Sequence, residues 1–109
     1  MITTPEDSLL VREAATHAAS FLKTVGNEQR LLVLCLLAKN GEMSVGAMLD
    51  CMGLSQSALS QHLAKMREEG LLGQRRESQM VFYRIIDQRV ERLLNLLADL
   101  YCPDQSSAS

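Results

Sequence analysis

Leu10, Ala14, Ala15, Ala18, Phe21, Leu22 and Val25 recur at the spacing of one helix face, which predicts an amphipathic helix over about residues 8 to 24. Its small alanines permit a close neighbour. Asn27 suits an N-cap, and the run that follows, LLVLCLL from Leu31 to Leu37, is apolar almost all round, so the second helix is expected at the centre of the domain and should end near Asn40-Gly41. Ser44 can cap a short third helix carrying Val45, Met48, Leu49 and Met52, which stops at Gly53. Ser55 can cap a fourth that stops before Gly70. Two short helices joined by about three residues that include a glycine have the form of a helix-turn-helix.

Beyond Gly70 the period changes from helical to alternating. Leu72, Gln74 and Arg76 face one way in an extended segment, Glu77-Ser78 suits a tight connection, and Val81, Tyr83 and Ile85 alternate with Met80, Phe82 and Arg84, which predicts a β-hairpin. Asp87 can then cap a last helix whose Val90, Leu93, Leu94, Leu97, Leu100 and Tyr101 form one stripe, widened by Leu96 and stopped by Pro103. The expected fold is mainly α with a β-hairpin wing (α+β). It is a winged helix-turn-helix of four helices, a hairpin and a helix over residues 8–102, after a flexible terminus of residues 1–7 and before a disordered tail, 103–109.

A winged helix closes its core with three helices and a hairpin, yet the first and last helices here each carry a full apolar stripe. The economical arrangement is a homodimer whose interface is built from both ends of the chain; the alternative is that the two helices cover a monomer core.

The fourth helix carries the candidate chemistry. Stepping around it at about 3.6 residues per turn puts Leu59, Leu63 and Met66 on the core face. Gln56, Ser57, Ser60, Gln61 and Ala64 fall on the opposite face, with Arg67 beside Gln56 and Lys65 at the far rim. Short polar side chains around a small alanine suit a surface that enters a groove and reads base edges, where Lys and Glu would bind any DNA or repel it. Such a face on the second helix of a helix-turn-helix, followed by Arg75 and Arg76 in a hairpin, points to double-stranded DNA with a two-fold symmetric site. The residues expected at the DNA are Ser55, Gln56, Ser57, Ser60, Gln61, Lys65, Arg75 and Arg76.

Charge changes this picture only slightly. The 109-residue chain has a net charge of −2, but residues 65 to 92 hold seven basic side chains against five acidic ones, +2, and the remainder is −4. A basic sub-region on an acidic body supplies a local footprint without strong affinity for any DNA. With 47% hydrophobic and 22% charged residues, the composition is that of a soluble globular protein, and no apolar run reaches the roughly 18 residues of a membrane span. The acidic N-terminal stretch lacks the features of a secretory signal, so a cytoplasmic location and reduced thiols are expected.

Three widely spaced cysteines without a CxxC pair, and two histidines, supply neither a zinc knuckle nor the base and resolving thiol of a thiol enzyme. No cofactor or metal set is expected. Cys35 sits in an apolar helix and Cys102 at a helix C-terminus, whose negative end disfavours a thiolate, so local sequence activates neither. Cys51 is expected to fill core. His62, between the polar arc and the core, is expected to be packed and hydrogen-bonded rather than a metal ligand.

The run NEQRLLVLCLLAKNGEMSVGAMLDCMGLSQSALSQHLAKMREEGLL, followed by RRESQMVFYRI, resembles the ArsR/SmtB family of bacterial winged-helix repressors over about residues 15 to 102. The resemblance implies dimerisation through the first and last helices, the helix from Ser55 to Glu69 in the major groove, and the hairpin on the DNA backbone. Metal-sensing members often carry a CxC motif where this chain has Ser44-Val45-Gly46, and acidic and His ligands on the last helix where it has Arg89 and leucines. Cys35 in LCLL and Cys102 in LYCP are instead similar to the sulfide- and redox-responsive branch. That likeness implies a cysteine pair sensing reactive sulfur species or oxidants. A metal-responsive repressor and a dimeric interaction module of antitoxin type are the alternatives.

Overall fold

The computed structural model describes residues 5–102; the expected tail, 103–109, lies outside them. The elements are α1 (Pro5–Val25), α2 (Glu28–Asn40), β1 (Met43–Ser44), α3 (Val45–Cys51), α4 (Gln56–Glu68), β2 (Leu72–Glu77), β3 (Met80–Ile85) and α5 (Gln88–Tyr101). This is the expected winged helix-turn-helix, with two additions. Helix α1 takes in Pro5 and the residues after it, which the sequence assigns to a flexible terminus; Pro followed by two acids is a helix-start signal. The hairpin also acquires a third strand, giving the antiparallel order β1-β3-β2. Among the described residues no helix is long and apolar enough to cross a membrane.

The caps are where the sequence places them. Asn27 Oδ1 accepts from the backbone N–H groups of Gln29 and Arg30 at 3.0 and 3.1 Å. Ser44 Oγ accepts from Ala47 N–H, Ser55 Oγ from Ala58 N–H, and Asp87 Oδ1 from Arg89 N–H. Each satisfies a backbone donor that the first helical turn leaves without a partner. Helix α4 ends in a glycine turn: Gly70, at φ 80°, lets its own N–H donate to Arg67 O at 3.0 Å and Leu71 N–H to Met66 O at 2.9 Å. Only a residue without a Cβ adopts this left-handed turn at little cost. The turn drops Leu71 and Leu72 directly into the core and launches β2.

Helix α2 is central, packing against α1, α4, α5 and β3. Its Val33, Leu34 and Leu37 meet Met48, Leu59, Leu63, Met66, Leu71, Leu72 and Val90, all 1% exposed or less. Each buried leucine of this kind contributes about 1.5 to 3 kcal/mol. The core therefore fixes the angle of α4 by clamping its inner face while leaving its outer face free.

In the wing, Gln74 pairs with Tyr83, Arg75 with Phe82 and Arg76 with Val81. Directly opposed residues share a sheet face, so Gln74, Arg76, Val81 and Tyr83 lie on one side and Arg75 and Phe82 on the other. The two-residue turn is Ser78-Gln79, one position beyond the expected connection, and Ser78 has φ 57°, a costly conformation for a residue with a Cβ. Ser78→Gly should raise stability by about 0.5 to 1 kcal/mol, seen as a higher thermal midpoint by circular dichroism. A lower midpoint would mean that the serine side chain itself holds the turn.

Candidate nucleic-acid interface

Helix α4 presents Gln56, Ser57, Ser60 and Gln61 to solvent, opposite buried Leu59, Leu63 and Met66. Gln56 and Ser60 face the wing across an open groove of about 490 Å³, whose far wall carries Gln74, Arg76 and Tyr83 and whose floor includes Ser44, Val45 and Leu49. Short polar donors and acceptors thus line one wall and a guanidinium the other. Such a cradle can address base edges from the helix and a phosphate from the wing at the same time.

The other expected residues are placed differently. Ser55 is exposed but spends its hydroxyl as the cap of α4. Lys65 stands a turn or more beyond the groove and pairs with Glu69 at 3.1 Å. Arg75, which the sequence treats as equivalent to Arg76, points to the opposite face of the wing. There its Nε and Nη2 donate to both carboxylate oxygens of Glu42 at 2.8 to 3.1 Å, and the guanidinium lies 4.5 Å from the Phe82 ring centre. The hydrogen bonds from Arg75 hold the Glu42 carboxyl below the usual range. Gln74, Gln79, Met80 and Ser44 also line the groove. The alternation that puts Gln74 on the face of Arg76 is a signal for Gln74, whereas the role of Ser44 as a helix cap hides its place in the groove.

His62 is half-buried and lies 3.3 Å through Nδ1 from Nη1 of Arg30, the packed and hydrogen-bonded setting its place on the helix predicts. Burial, followed by the charge of Arg30, pushes its pKa below the ordinary 6.5. Cys51 departs from expectation. It is exposed at the end of α3, because a seven-residue helix buries little beyond Met48.

Over residues 27–73 the chain matches the family described as bacterial regulatory protein, arsR family. It is 40% identical over 93 residues to the HTH-type transcriptional regulator YgaV of Escherichia coli K12, covering 85% of this chain and 94% of YgaV. The chain belongs to the arsR family. It is also 48% identical over 88 residues to the transcriptional activator HlyU of Vibrio cholerae, covering 81% of each. The structure of reduced HlyU superposes with a TM-score of 0.79 at 44% identity, over 84% of this chain and 96% of HlyU. That of the transcriptional repressor BigR from Xylella fastidiosa gives 0.78 at 35%, over 92% and 98%. These relatives are transcriptional regulators by name, and the arsR-family protein is a DNA-binding transcriptional regulator, not an enzyme.

In this arsR-family fold Cys35 and Cys102 are both exposed on the single chain, one on the central helix and one at the end of α5. Partial burial pushes the Cys35 thiol up, and a negative charge on Cys102 pushes it further. Among the described residues no three His, Cys, Asp or Glu side chains gather as a metal site would require.

Proposed function

We propose that this regulator binds a two-fold symmetric operator as a homodimer and is released from it when persulfides or oxidants modify Cys35 and Cys102. Gln56, Ser57, Ser60 and Gln61 read bases in the major groove, and Arg76 grips the backbone. Ser55 and Lys65 hold the two ends of the reading helix. The observation that carries the DNA reading is the single groove shared by Gln56 and Ser60 of α4 and by Gln74 and Arg76 of the wing. The dimer reading rests on apolar side chains that stand exposed among the described residues. Leu9, Leu10 and Leu22 on α1 and Leu96, Leu100 and Tyr101 on α5 are each more than half exposed. Because relatives include both an activator and a repressor, the sign of control follows from where the operator lies relative to the promoter.

Fluorescence anisotropy with a duplex from upstream of the protein's own gene, and with random duplex, tests the division of labour. Arg76→Ala should weaken binding to both duplexes and reduce the salt slope by about 1. Gln56→Ala or Gln61→Ala should cost about 1 to 3 kcal/mol on the preferred duplex and little on random DNA. Arg75→Ala should change the salt slope less than Arg76→Ala, since its charge is already met by Glu42. Equal losses on both duplexes from both classes of variant would contradict the proposal.

A further inference from the structure

Helix α4 is held to the rest of the protein by polar contacts as well as by its core face. Thr24, at the end of α1, is 2% exposed and donates its hydroxyl to Glu69 Oε1 at 2.6 Å. Arg30, in the first turns of α2, donates from Nε to Thr24 O at 2.7 Å and reaches His62 on α4 with Nη1. Glu69 is further held by Lys65. One junction therefore ties the end of α1, the start of α2 and both sides of α4, and it does so beside the face that enters the groove.

Arg30 is always a cation and only a donor. His62 Nδ1 can meet it only as an acceptor, which requires a neutral ring with its proton on Nε2. A protonated ring has donors at both nitrogens and places a second positive charge 3.3 Å from the first. The charged groups around this contact are Arg30 from α2 and, beyond it, Glu69 and Lys65 of α4 itself; the Glu69 carboxylate is held ionised chiefly by the Thr24 hydroxyl. Glu69 therefore stabilises Arg30 as the cation that His62 must accept from.

We infer that His62 is a positioning residue for operator reading, whose neutral ring must accept from Arg30 to keep α4 at its reading angle, so that acidification lowers the preference for operator over other DNA. This inference rests on the DNA reading above. Its sign is opposite to that of an ordinary histidine at a DNA surface, where a gained positive charge strengthens binding to any sequence. The depressed pKa agrees: the contact is fully in place above the ordinary value of 6.5 and is lost as pH falls below it.

The chain has two histidines, so the window from about pH 5.5 to 7.5 can be assigned by variants. Anisotropy is measured across that window on the upstream duplex and on random duplex. The wild-type ratio of affinities should fall about tenfold towards the acid end, the scale of one lost charge-assisted hydrogen bond, while binding to random DNA holds or strengthens. His62→Asn, whose side-chain oxygen can replace Nδ1 as acceptor and does not titrate, should keep the neutral-pH ratio and lose its pH dependence. His17→Gln, which removes the other histidine, should keep the acid fall in the ratio whatever its effect on affinity at neutral pH. No preference for the upstream duplex at about pH 7.5 would overturn the DNA reading and this inference with it. A clear preference there that stays flat in acid, or that falls equally in His62→Asn, would overturn the inference alone.

Discussion

Leu96→Glu combined with Leu100→Glu should convert the protein to a monomer at micromolar concentration and weaken operator binding about a hundredfold or more. The two leucines are 53% and 63% exposed on the single chain, and Tyr101 beside them is 77% exposed. Helix α1 makes the same point from the other end of the chain, since every described side chain from Ser8 to Ser20 is exposed. Exposed leucines near both ends of the chain are the surface a partner would cover, and carboxylates there would lose their hydration on association. The substitutions leave the protomer intact, because α5 is anchored by buried Val90 and half-buried Leu93, Leu94 and Leu97. Helix content by circular dichroism should therefore match wild type. The penalty on DNA comes from avidity: once one protomer is bound, the second half-site is reached at high effective concentration only if the two are joined. A sedimenting dimer in the double variant would remove these helices from the interface.

Much of this arrangement was legible in the sequence because it is local. Asn27, Ser44, Ser55 and Asp87 cap the helices they precede, and a capping side chain needs only the next two or three residues to act. The reading face of α4 follows from helical period alone. Strand β1 was not legible: two residues carry no alternation, and Met43 is in a strand only because Tyr83 lies opposite. Cys51 was misplaced because its short helix gives period little to work on. The functional refinements come from pairings across the fold, Arg75 with Glu42 over 33 residues and Arg30 with His62 over 32. Strand alternation separates Arg75 from Arg76 and puts Glu77 on the Arg75 face, where the two lie 3.6 Å apart, but nothing near Arg75 in sequence shows that Glu42 waits there as well.

Treatment with polysulfide or a mild peroxide should make wild type release operator DNA reversibly, and Cys35→Ser and Cys102→Ser should stay bound. In the polysulfide case a thiolate of one cysteine attacks a sulfane sulfur and displaces the shortened polysulfide. The second thiolate then attacks the sulfur of that persulfide bonded to carbon, closing a disulfide and releasing hydrosulfide; the cysteines lose the two electrons that the sulfane sulfur gains. Burial and the Cys102 charge both push the Cys35 thiol up, which disfavours its thiolate. Cys102 stands exposed at the end of α5, with its backbone N–H donating to Ala98 O at 2.8 Å. The bridge would tie α5, which carries the proposed dimer surface, to α2, whose inner face packs on α4. A tilt imposed at the dimer surface then misplaces both recognition helices together, and a coupling of only about 1 to 3 kcal/mol suffices for a useful switch. Exposed Cys51 will also take up sulfur or label, so reactivity alone is uninformative and the bridge must be located by mass spectrometry beside the binding measurement. Cys51→Ser should respond as wild type. If Cys35→Ser or Cys102→Ser still releases DNA as wild type does, the two thiols do not act as a pair and the switch lies elsewhere.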